Sequence, residues 1–220
     1  MVPWLREKEA LRLHAALLED SLRLLRAGAA GSDAVPFVSF SEAWNPASRP
    51  GCEEIARAAA GMVRIPQRGA DLGERLERTF RRLIDREFRR VIVIGSDSPT
   101  LPVSILKGAF AALRQDVDVV LGPAEDGGYY LVGAARPVPR MFEKIPWGTE
   151  GVMQATLAAL QRSGTRAVIL SPWHDVDRPY DLERVRRHLS RRPKGEPALR
   201  STRAFVEALV RDGRLPIIEA

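Results

Sequence analysis

The stretch VIVIGSDSP at residues 91–99 decides the predicted fold, because it joins a buried strand to a sharp turn that presents a carboxylate. Four β-branched apolar residues in a row are typical of a strand covered on both faces of a parallel sheet. Gly95 and Pro99 end the strand, so Asp97 lies at its carboxyl end, the edge where open α/β sheets bind ligands. Two interpretations are open at this point: Asp97 holds a cation against a phosphate, or it caps the helix predicted to begin near Pro102.

The composition is typical of one globular domain. The chain has 220 residues, of which 45% are hydrophobic and 28% charged, as in an ordinary folded domain with a substantial core. No apolar run approaches the ~20 residues needed to span a membrane, and the first residues lack the apolar core of a signal peptide. We therefore expect a single cytoplasmic domain over residues 1–220 that does not bind membranes. A lone cysteine, Cys52, excludes an internal disulfide.

The net charge of +6 makes nucleic acid a candidate partner, yet the arrangement of the charges argues against it. The basic residues are nearly all arginines that mix with acidic residues along predicted helices, as in ERLERTFRRLIDREFRR at 74–90. This spacing is typical of solvated helix faces with i,i+4 ion pairs. Steering of an anionic nucleotide is expected only as a modest consequence of the charge.

Predicted strands and helices alternate along the chain. This alternation predicts a three-layer α/β/α domain with a mostly parallel central sheet. Strands are predicted at 36–43, near 62–65, and at 90–95, 118–122, 128–134 and 167–171. Helices are predicted at 5–26, 52–60, 71–88, 103–114, 149–162, 180–189 and 201–211. Asp71 with Glu74 predicts a capping box at one helix start, and Thr149 is the predicted N-cap of another.

Three acidic clusters follow predicted strands and suggest a metal site. They are Asp97, then Asp126 in PAEDGG at 123–128, then Asp175 and Asp177 in DVDRP at 175–179. The strands before these clusters open on one edge of a parallel sheet, so the carboxylates can converge across 80 residues of sequence (177 − 97). Asp97 with Asp175 or Asp177 offers the oxygen ligands that magnesium prefers. The predicted cofactor is Mg²⁺ or Mn²⁺.

Glycines beside the second cluster predict a turn that a ligand can approach. Gly127 and Gly128 leave the backbone open, and the DG pair is also a hairpin signal, which is compatible with a binding loop. Tyr129 and Tyr130 alternate across the next strand, so one can face the pocket while the other packs, and the sequence leaves open which. The chain has no P-loop, dinucleotide fingerprint or nucleophile elbow, which disfavours classical kinase, dehydrogenase and serine-hydrolase chemistry.

Five motifs stand in order within residues 5–190: DLGERL (71–76), GSDSPTLP (95–102), GPAEDGGYYLVG (122–133), IPWGTEGV (145–152) and DVDRPYDL (175–182). This set resembles an uncharacterised bacterial glycosyltransferase-like family, whose members are often labelled radical-SAM/selenodomain-associated transferases. The resemblance implies the GT-A fold of nucleotide-diphospho-sugar transferases, with distant relatives among the guanylyltransferases that act on molybdenum cofactor and on phospholactate. It implies a nucleoside triphosphate or nucleotide sugar and a small-molecule acceptor, and leaves glycosyl and nucleotidyl transfer as alternatives.

The resemblance also implies residue roles. Asp97 would hold the metal near the nucleotide phosphates and share the catalytic chemistry with Asp126, while Asp175 and Asp177 would complete the metal ligands. Asp126 and the glycines after it would line the sugar or acceptor pocket, and the residues from Asp71 to Gly73 would lie near the base. The implied cofactor- and nucleotide-binding residues are Asp71, Leu72, Gly73, Ser96, Gly127 and Gly128.

The start of the chain departs from the family pattern. Family members open with a central strand and a loop resembling KxPxxGxxKTRL that holds phosphates, whereas MVPWLREKEALRLHAALL at 1–18 resembles the helix that follows this loop. The resemblance therefore predicts a domain truncated at its amino terminus, with an unpaired sheet edge or groove where the strand is missing. The alternative function is a non-catalytic binding protein with a degenerate or truncated active site.

Overall fold

The computed structural model describes residues 5–40, 53–138, 140–191 and 199–215. The strands are β1 (Phe37–Phe40), β2 (Val63–Pro66), β3 (Val91–Ile94), β4 (Val119–Pro123), β5 (Tyr129–Ala134) and β6 (Ala167–Ile169). The helices are α1 (Glu7–Ala29), α2 (Glu53–Ala58), α3 (Leu72–Ile84), α4 (Val103–Ala112), α5 (Val152–Arg162), α6 (Pro179–Arg191) and α7 (Arg200–Arg211). None of the described helices is both long and apolar enough to cross a membrane.

The strands form two sheets within the described residues. β1 and β2 pair in parallel, and the other four strands have the order β3-β5-β4-β6. β5 is antiparallel to both of its neighbours, whereas β4 and β6 are parallel. β3, β4 and β6 therefore run in the same direction and end at one edge of the sheet. The predicted mostly parallel sheet is confirmed, with β5 as the reversed strand.

A tight hairpin explains why β5 is reversed. The connection from β4 to β5 is too short for the crossover that a parallel neighbour requires. Gly127 has a positive φ of 87°, a conformation that glycine adopts without strain. The amide of Ala124 donates to the carbonyl of Gly128 at 3.1 Å and closes the turn. The hairpin predicted from the DG pair is confirmed.

The sheet separates two apolar cores, which confirms the three-layer fold. Val119 and Leu121 of β4 point to one face, where α3 and α5 pack, and Val120 points to the other, where α4 and Leu24 of α1 pack. This alternation is the pleat of a strand that has helices on both sides. The side chains of all three β4 residues are fully buried.

A third core joins both ends of the chain. Leu13 and Leu17 of α1 pack with Leu182 of α6 and Val206 of α7. Asp20 of α1 is buried and accepts a hydrogen bond at 2.8 Å from the amide of Thr202, in the first turn of α7. The carboxylate thus caps a helix remote in sequence and fixes α7 against α1.

The capping box at α3 is present in altered form. Asp71 is the N-cap, as predicted, and accepts a hydrogen bond from the amide of Glu74 at 2.8 Å. The Glu74 carboxylate accepts from the amide of Ala70 at 3.2 Å rather than from that of Asp71. The reciprocal bond is therefore displaced by one residue, and the segment before the helix is tied down by both carboxylates.

The prediction that Thr149 caps α5 is wrong. The helix begins at Val152 with Gly151 at the cap position. The Thr149 hydroxyl donates to the carbonyl of Pro146 at 2.8 Å and accepts from the amide of Gly151 at 3.2 Å. The threonine therefore stabilises the turn before the helix, because its local backbone partners compete with helix capping.

Candidate functional site

Three aspartates from two loops lie together at the carboxyl edge of the sheet. Asp126 comes from the hairpin after β4, and Asp175 and Asp177 come from the segment after β6. One carboxylate oxygen of each lies within 4.8 Å of the others. Asp126 and Asp177 are exposed and Asp175 is half-buried. The structure thus brings together the second and third acidic clusters, as the sheet direction predicted.

Asp97 borders this group from the loop after β3 without belonging to it. Its backbone carbonyl accepts a hydrogen bond from the amide of Val176 at 3.0 Å, which ties the two loops together. The pKa of the Asp97 carboxyl is raised, first by desolvation and then by the charges of Asp177 and Asp126. The Asp97 residue is nevertheless in part accessible to solvent.

The helix-cap interpretation of Asp97 is not supported. The cap position of α4 is Pro102, and no side-chain hydrogen bond caps that helix. The Asp97 carboxylate instead folds back on its own turn, where a Cβ at Gly95 would approach its Oδ1 to 2.6 Å. Gly95 thus makes room for the carboxylate. The predicted contact residue Ser96 accepts a hydrogen bond at its carbonyl from the Ser21 hydroxyl of α1 at 3.1 Å.

The carboxylates raise one another's affinity for protons. The pKa of Asp175 is raised to about 6, first by desolvation, then by the charges of Asp177 and Asp126, with a smaller contribution from Asp97. Like charges held at this distance disfavour ionisation. A bound cation would remove this repulsion, so the cluster is arranged to favour positive charge at its centre.

A buried threonine positions the segment that carries Asp175. Thr100 accepts a hydrogen bond from the indole nitrogen of Trp173 at 3.1 Å and shares one with Nε2 of His174 at 3.2 Å. The His174 ring stacks on Trp173 at a centroid distance of 5.2 Å. Desolvation and the charge of Arg184 lower the pKa of His174, which favours the neutral ring. Sequence reasoning missed Thr100, although it lies in the GSDSPTLP motif.

Asp181 positions the backbone of Asp177. Its buried carboxylate accepts hydrogen bonds from the amide of Asp177 at 3.0 Å and from that of Arg178 at 2.7 Å. Charge-assisted bonds of this kind fix a turn firmly. Sequence reasoning also missed Asp181, whose one signal is its place four residues after Asp177 in DVDRPYDL.

The hairpin that carries Asp126 is held by two helices and by a bond within its own turn. Glu125 forms two hydrogen bonds with Arg184 of α6, at 2.5 and 2.8 Å. The Gly127 carbonyl accepts from the amide of Met153 at 2.9 Å. The amide of Gly128 donates to Asp126 at 2.8 Å and orients its carboxylate. Of the two glycines predicted to bind the nucleotide, Gly127 therefore anchors the hairpin to α5, and Gly128 positions Asp126.

The segment predicted to contact a base lies beside the hairpin. A Cβ at Gly73 would approach Nε1 of Trp147 to 2.6 Å, so the start of α3 packs directly on this indole. Trp147 in turn meets the ring of Tyr129 edge-on, at a centroid distance of 6.1 Å. Asp71 is occupied as the helix cap, and Leu72 is exposed. The start of α3 is thus linked through Trp147 to Tyr129, the first residue of β5 after the hairpin that carries Asp126.

The structure places the two tyrosines of β5 in different cores. Tyr129 packs with Trp147 on the α3 side, and Tyr130 is buried on the α4 side. The Tyr130 hydroxyl donates to the carbonyl of Ser171 at 2.8 Å, just after β6. Burial raises the pKa of Tyr130 to about 12, so it stays a donor. Both rings therefore pack, and Tyr130 also anchors the segment that leads to Asp175.

Comparisons with known proteins identify a family and a fold. Residues 13–149 match a family described as uncharacterized protein conserved in bacteria (DUF2064). A crystal structure from Desulfovibrio desulfuricans G20, provisionally described as a nucleotide-diphospho-sugar transferase, is 28% identical and has a TM-score of 0.77. That likeness covers 93% of this chain and 86% of the other. No curated protein matches the sequence.

A more distant structure has the same fold. It is CMP:2-keto-3-deoxy-manno-octonic acid synthetase in complex with CTP, with 16% identity and a TM-score of 0.52. The likeness covers 80% of this chain and 88% of that one. The predicted α/β fold of the nucleotide-diphospho-sugar transferase type is therefore confirmed.

Proposed function

The chain belongs to the DUF2064 family of uncharacterized bacterial proteins, and we propose that it is a divalent-metal-dependent transferase that uses a nucleotide donor. It would transfer the nucleotidyl group of a nucleoside triphosphate, or the glycosyl group of a nucleotide sugar, to a small-molecule acceptor. The observation that carries the proposal is the convergence of Asp126, Asp175 and Asp177 within 4.8 Å. Its place at the carboxyl edge of the sheet is where such folds bind ligands.

The donor set of the cluster fits a hard cation. Its three members offer carboxylate oxygens and neither nitrogen nor sulfur, which suits Mg²⁺ or Mn²⁺. Asp175 and Asp177 are proposed as ligands because the resemblance implies that role and both lie in the close group. Asp126 joins them in the close group, and Asp97 borders it within range of their charges. We propose these four residues as the metal-binding wall of the site.

The chain's own residues would supply positioning and a proton acceptor. A bound cation would stabilise the negative charge that develops on the phosphate leaving group. Asp97, whose loop is tied to Val176 beside the close group, would offer its carboxylate to the proton of an acceptor hydroxyl. Asp126, oriented by the amide of Gly128, would act beside it. The backbone at Ser96, Gly127 and the start of α3 would contact the donor.

Manganese binding tests the metal site directly. We expect Mn²⁺, followed by paramagnetic relaxation or calorimetry, to bind the wild-type chain and to bind Asp177→Asn about tenfold or more weakly. Asp85→Asn is the matched control, because Asp85 is an exposed aspartate at the far end of α3. Equal Mn²⁺ affinity in all three proteins would rule out the metal site.

Donor binding and turnover test the transferase. GTP, CTP, UTP and UDP-sugars are titrated with and without Mn²⁺, and release of pyrophosphate or nucleoside diphosphate is then measured. We expect metal-dependent binding of one donor class, and the product released distinguishes nucleotidyl from glycosyl transfer. Metal-dependent binding without turnover would favour the non-catalytic alternative. Absence of any donor binding would contradict both functions.

A further inference from the structure

His14 and Ser21 lie on one face of α1. Ser21 follows His14 by about two helical turns, and Leu18 lies between them on the same face. The Ser21 hydroxyl donates to the carbonyl of Ser96, the residue before Asp97, at 3.1 Å. This face of α1 is therefore directed at the loop that carries Asp97.

The first half of α1 is attached to the segment that carries the other metal-binding aspartates. Leu13, the neighbour of His14 in sequence, belongs to the same apolar core as Val176. Val176 lies between the two proposed ligands of that segment, and its amide donates to the carbonyl of Asp97 at 3.0 Å. His14 thus lies along the helix between two points of attachment to the carboxylate loops.

The exposure of this helix face increases toward its amino end. Ser21 is buried and Leu18 is half-buried, whereas His14 and Leu11 are exposed. The bond between Ser21 and the loop after β3 holds the helix in place. The imidazole of His14 can therefore contact a molecule that enters from solvent, without any movement of α1.

The charge of His14 acts on Asp97. Desolvation raises the pKa of the Asp97 carboxyl most, and the charges of Asp177 and Asp126 raise this pKa further. The charge of His14 has the opposite effect and lowers it. Because charge interactions weaken with distance, this influence agrees with the position that the helix face gives to His14.

A phosphate group bound at the carboxylates needs hydrogen-bond donors besides the cation. Mg²⁺ binds some of the oxygens of a diphosphate and leaves the others to the protein. Arg184, on the hairpin side of the cluster, already forms two hydrogen bonds with Glu125. An imidazole has a ring N–H in its neutral form as well as in its charged form, so His14 offers a donor on the α1 side.

We propose that His14 binds the diphosphate of the nucleotide donor, by donating a ring N–H to a phosphate oxygen while the aspartates hold the cation. A diphosphate is common to nucleoside triphosphates and nucleotide sugars, so this role is the same for nucleotidyl and glycosyl transfer. The inference rests on the proposed function, since it requires a phosphate-bearing donor at the carboxylates. It adds a substrate-binding residue from α1 to a site otherwise formed by the loops after the strands.

Binding of inorganic pyrophosphate tests this role without knowledge of the base. Pyrophosphate is titrated by calorimetry into the full chain in the presence of Mg²⁺, and the Mn²⁺ affinity of each variant is measured separately. His14→Ala removes the donor, and His14→Gln keeps an N–H donor on a side chain of similar length. Arg12→Gln is the matched control for a lost cation on α1, because Arg12 is exposed and lies about 200° around the helix from His14.

We expect His14→Ala to bind pyrophosphate about tenfold or more weakly than the wild-type chain, because a hydrogen bond to a charged group is lost. His14→Gln should recover part of this affinity, Arg12→Gln should bind as the wild type does, and the Mn²⁺ affinity should not change.

Three results with the variants would overturn the role of His14. They are an unchanged pyrophosphate affinity in His14→Ala, an equal loss in Arg12→Gln, which would indicate an effect of overall charge, and no recovery in His14→Gln. An equal loss of Mn²⁺ affinity in His14→Ala would also overturn it, because the histidine would then support the metal site. A wild-type chain that binds Mn²⁺ but not pyrophosphate contradicts this inference alone, and one that binds neither contradicts the proposed function as well.

Discussion

β3 and β4 have similar apolar sequences and opposite environments. In β4, Val119, Val120 and Leu121 have an exposure of 0%, whereas β3 is half-buried after its first residue. β4 lies between β5 and β6, but β3 has a strand partner on one side only among the described residues. The number of neighbours, more than the residue types, therefore decides how far an apolar strand is buried.

The two strands also support different parts of the site. The hairpin after β4 holds Asp126 through bonds to α5 and α6. The loop after β3 holds Asp97 through a backbone bond to Val176 and one between α1 and Ser96. Both loops reach the same cluster. The site therefore combines a support strand that has two strand partners with one that has a single strand partner among the described residues.

The largest expected difference is in the cost of a cavity. Leu121→Ala in β4 should lower the free energy of unfolding by about 3–4 kcal/mol, because the side chain is fully buried and the sheet cannot collapse around the gap. Ile94→Ala in β3 should cost about 1–2 kcal/mol, because its side chain is already in part hydrated. Urea denaturation followed by circular dichroism measures both. Equal losses would contradict the difference in environment.

Adding a methyl group to a glycine should have a different kind of effect at each of the two strands. A Cβ at Gly122 in β4 would lie 2.3 Å from Cζ of Tyr130, whose ring is fixed by its bond to Ser171. Gly122→Ala should therefore cost about 1–3 kcal/mol of stability. Gly95→Ala after β3 would displace only the Asp97 carboxylate.

The second variant should lose less stability than the first and should bind Mn²⁺ several-fold more weakly. Thermal unfolding and manganese titration of the two variants give both quantities. A Gly95→Ala protein with unchanged Mn²⁺ affinity would show that Asp97 takes no part in the metal site.

The sequence was sufficient to predict the layers, the shared strand direction and the convergence of acidic clusters at one edge of the sheet. These features depend on apolar periodicity and on the rule that parallel strands end at one edge. The sequence named Asp97 as the metal partner of Asp175 and Asp177, whereas the close group in the structure contains Asp126 in its place. Asp71 as a helix cap was also predictable, because its partner Glu74 lies in the next turn. Local sequence patterns were thus sufficient to predict the helices and strands and the edge of the sheet where the acidic residues lie.

What the sequence did not predict depends on contacts between distant segments. Thr100 receives the indole of Trp173, which is 73 residues away, and no local pattern encodes that bond. Thr149 was wrongly expected to be a cap, because its hydroxyl found partners in the preceding turn. The residues of β3 did not predict its half-burial, because an apolar run shows a preference for burial and not the presence of a neighbour. Only the family resemblance implied an unpaired sheet edge.

Asp175 follows β6, the neighbour of β4, and its charge should destabilise the folded chain. Its pKa is raised from 3.8 to about 6, so the folded state binds the proton more tightly than the unfolded state does. The contribution of this carboxyl group to the free energy of unfolding is therefore lost as the pH rises from about 4 to about 6. Without metal, Asp175→Asn should stabilise the chain by about 1–2 kcal/mol at neutral pH, since solvent weakens the full effect.

Urea denaturation at about pH 4 and about pH 7.5 should show the gain only at the higher value. Added Mn²⁺ should stabilise the wild-type chain more than the variant, which lacks one proposed ligand. Asp85→Asn controls for the loss of a charge. A variant less stable than wild type at neutral pH would show that Asp175 makes a favourable contact that outweighs its repulsion.

The smallest effect should come from the ion pair that holds the β4 hairpin. Arg184→Gln removes the two bonds to Glu125, and because the pair is largely exposed the loss of stability should stay below about 1 kcal/mol. Arg81→Gln is the matched control, since it breaks an exposed pair with Glu77 on α3. Manganese affinity should fall about twofold in Arg184→Gln, as the hairpin carrying Asp126 loosens, and should not change in Arg81→Gln. If the affinity is equal in both, the bonds from Gly127 and Gly128 alone hold Asp126, and the β4 side of the site needs no support from α6.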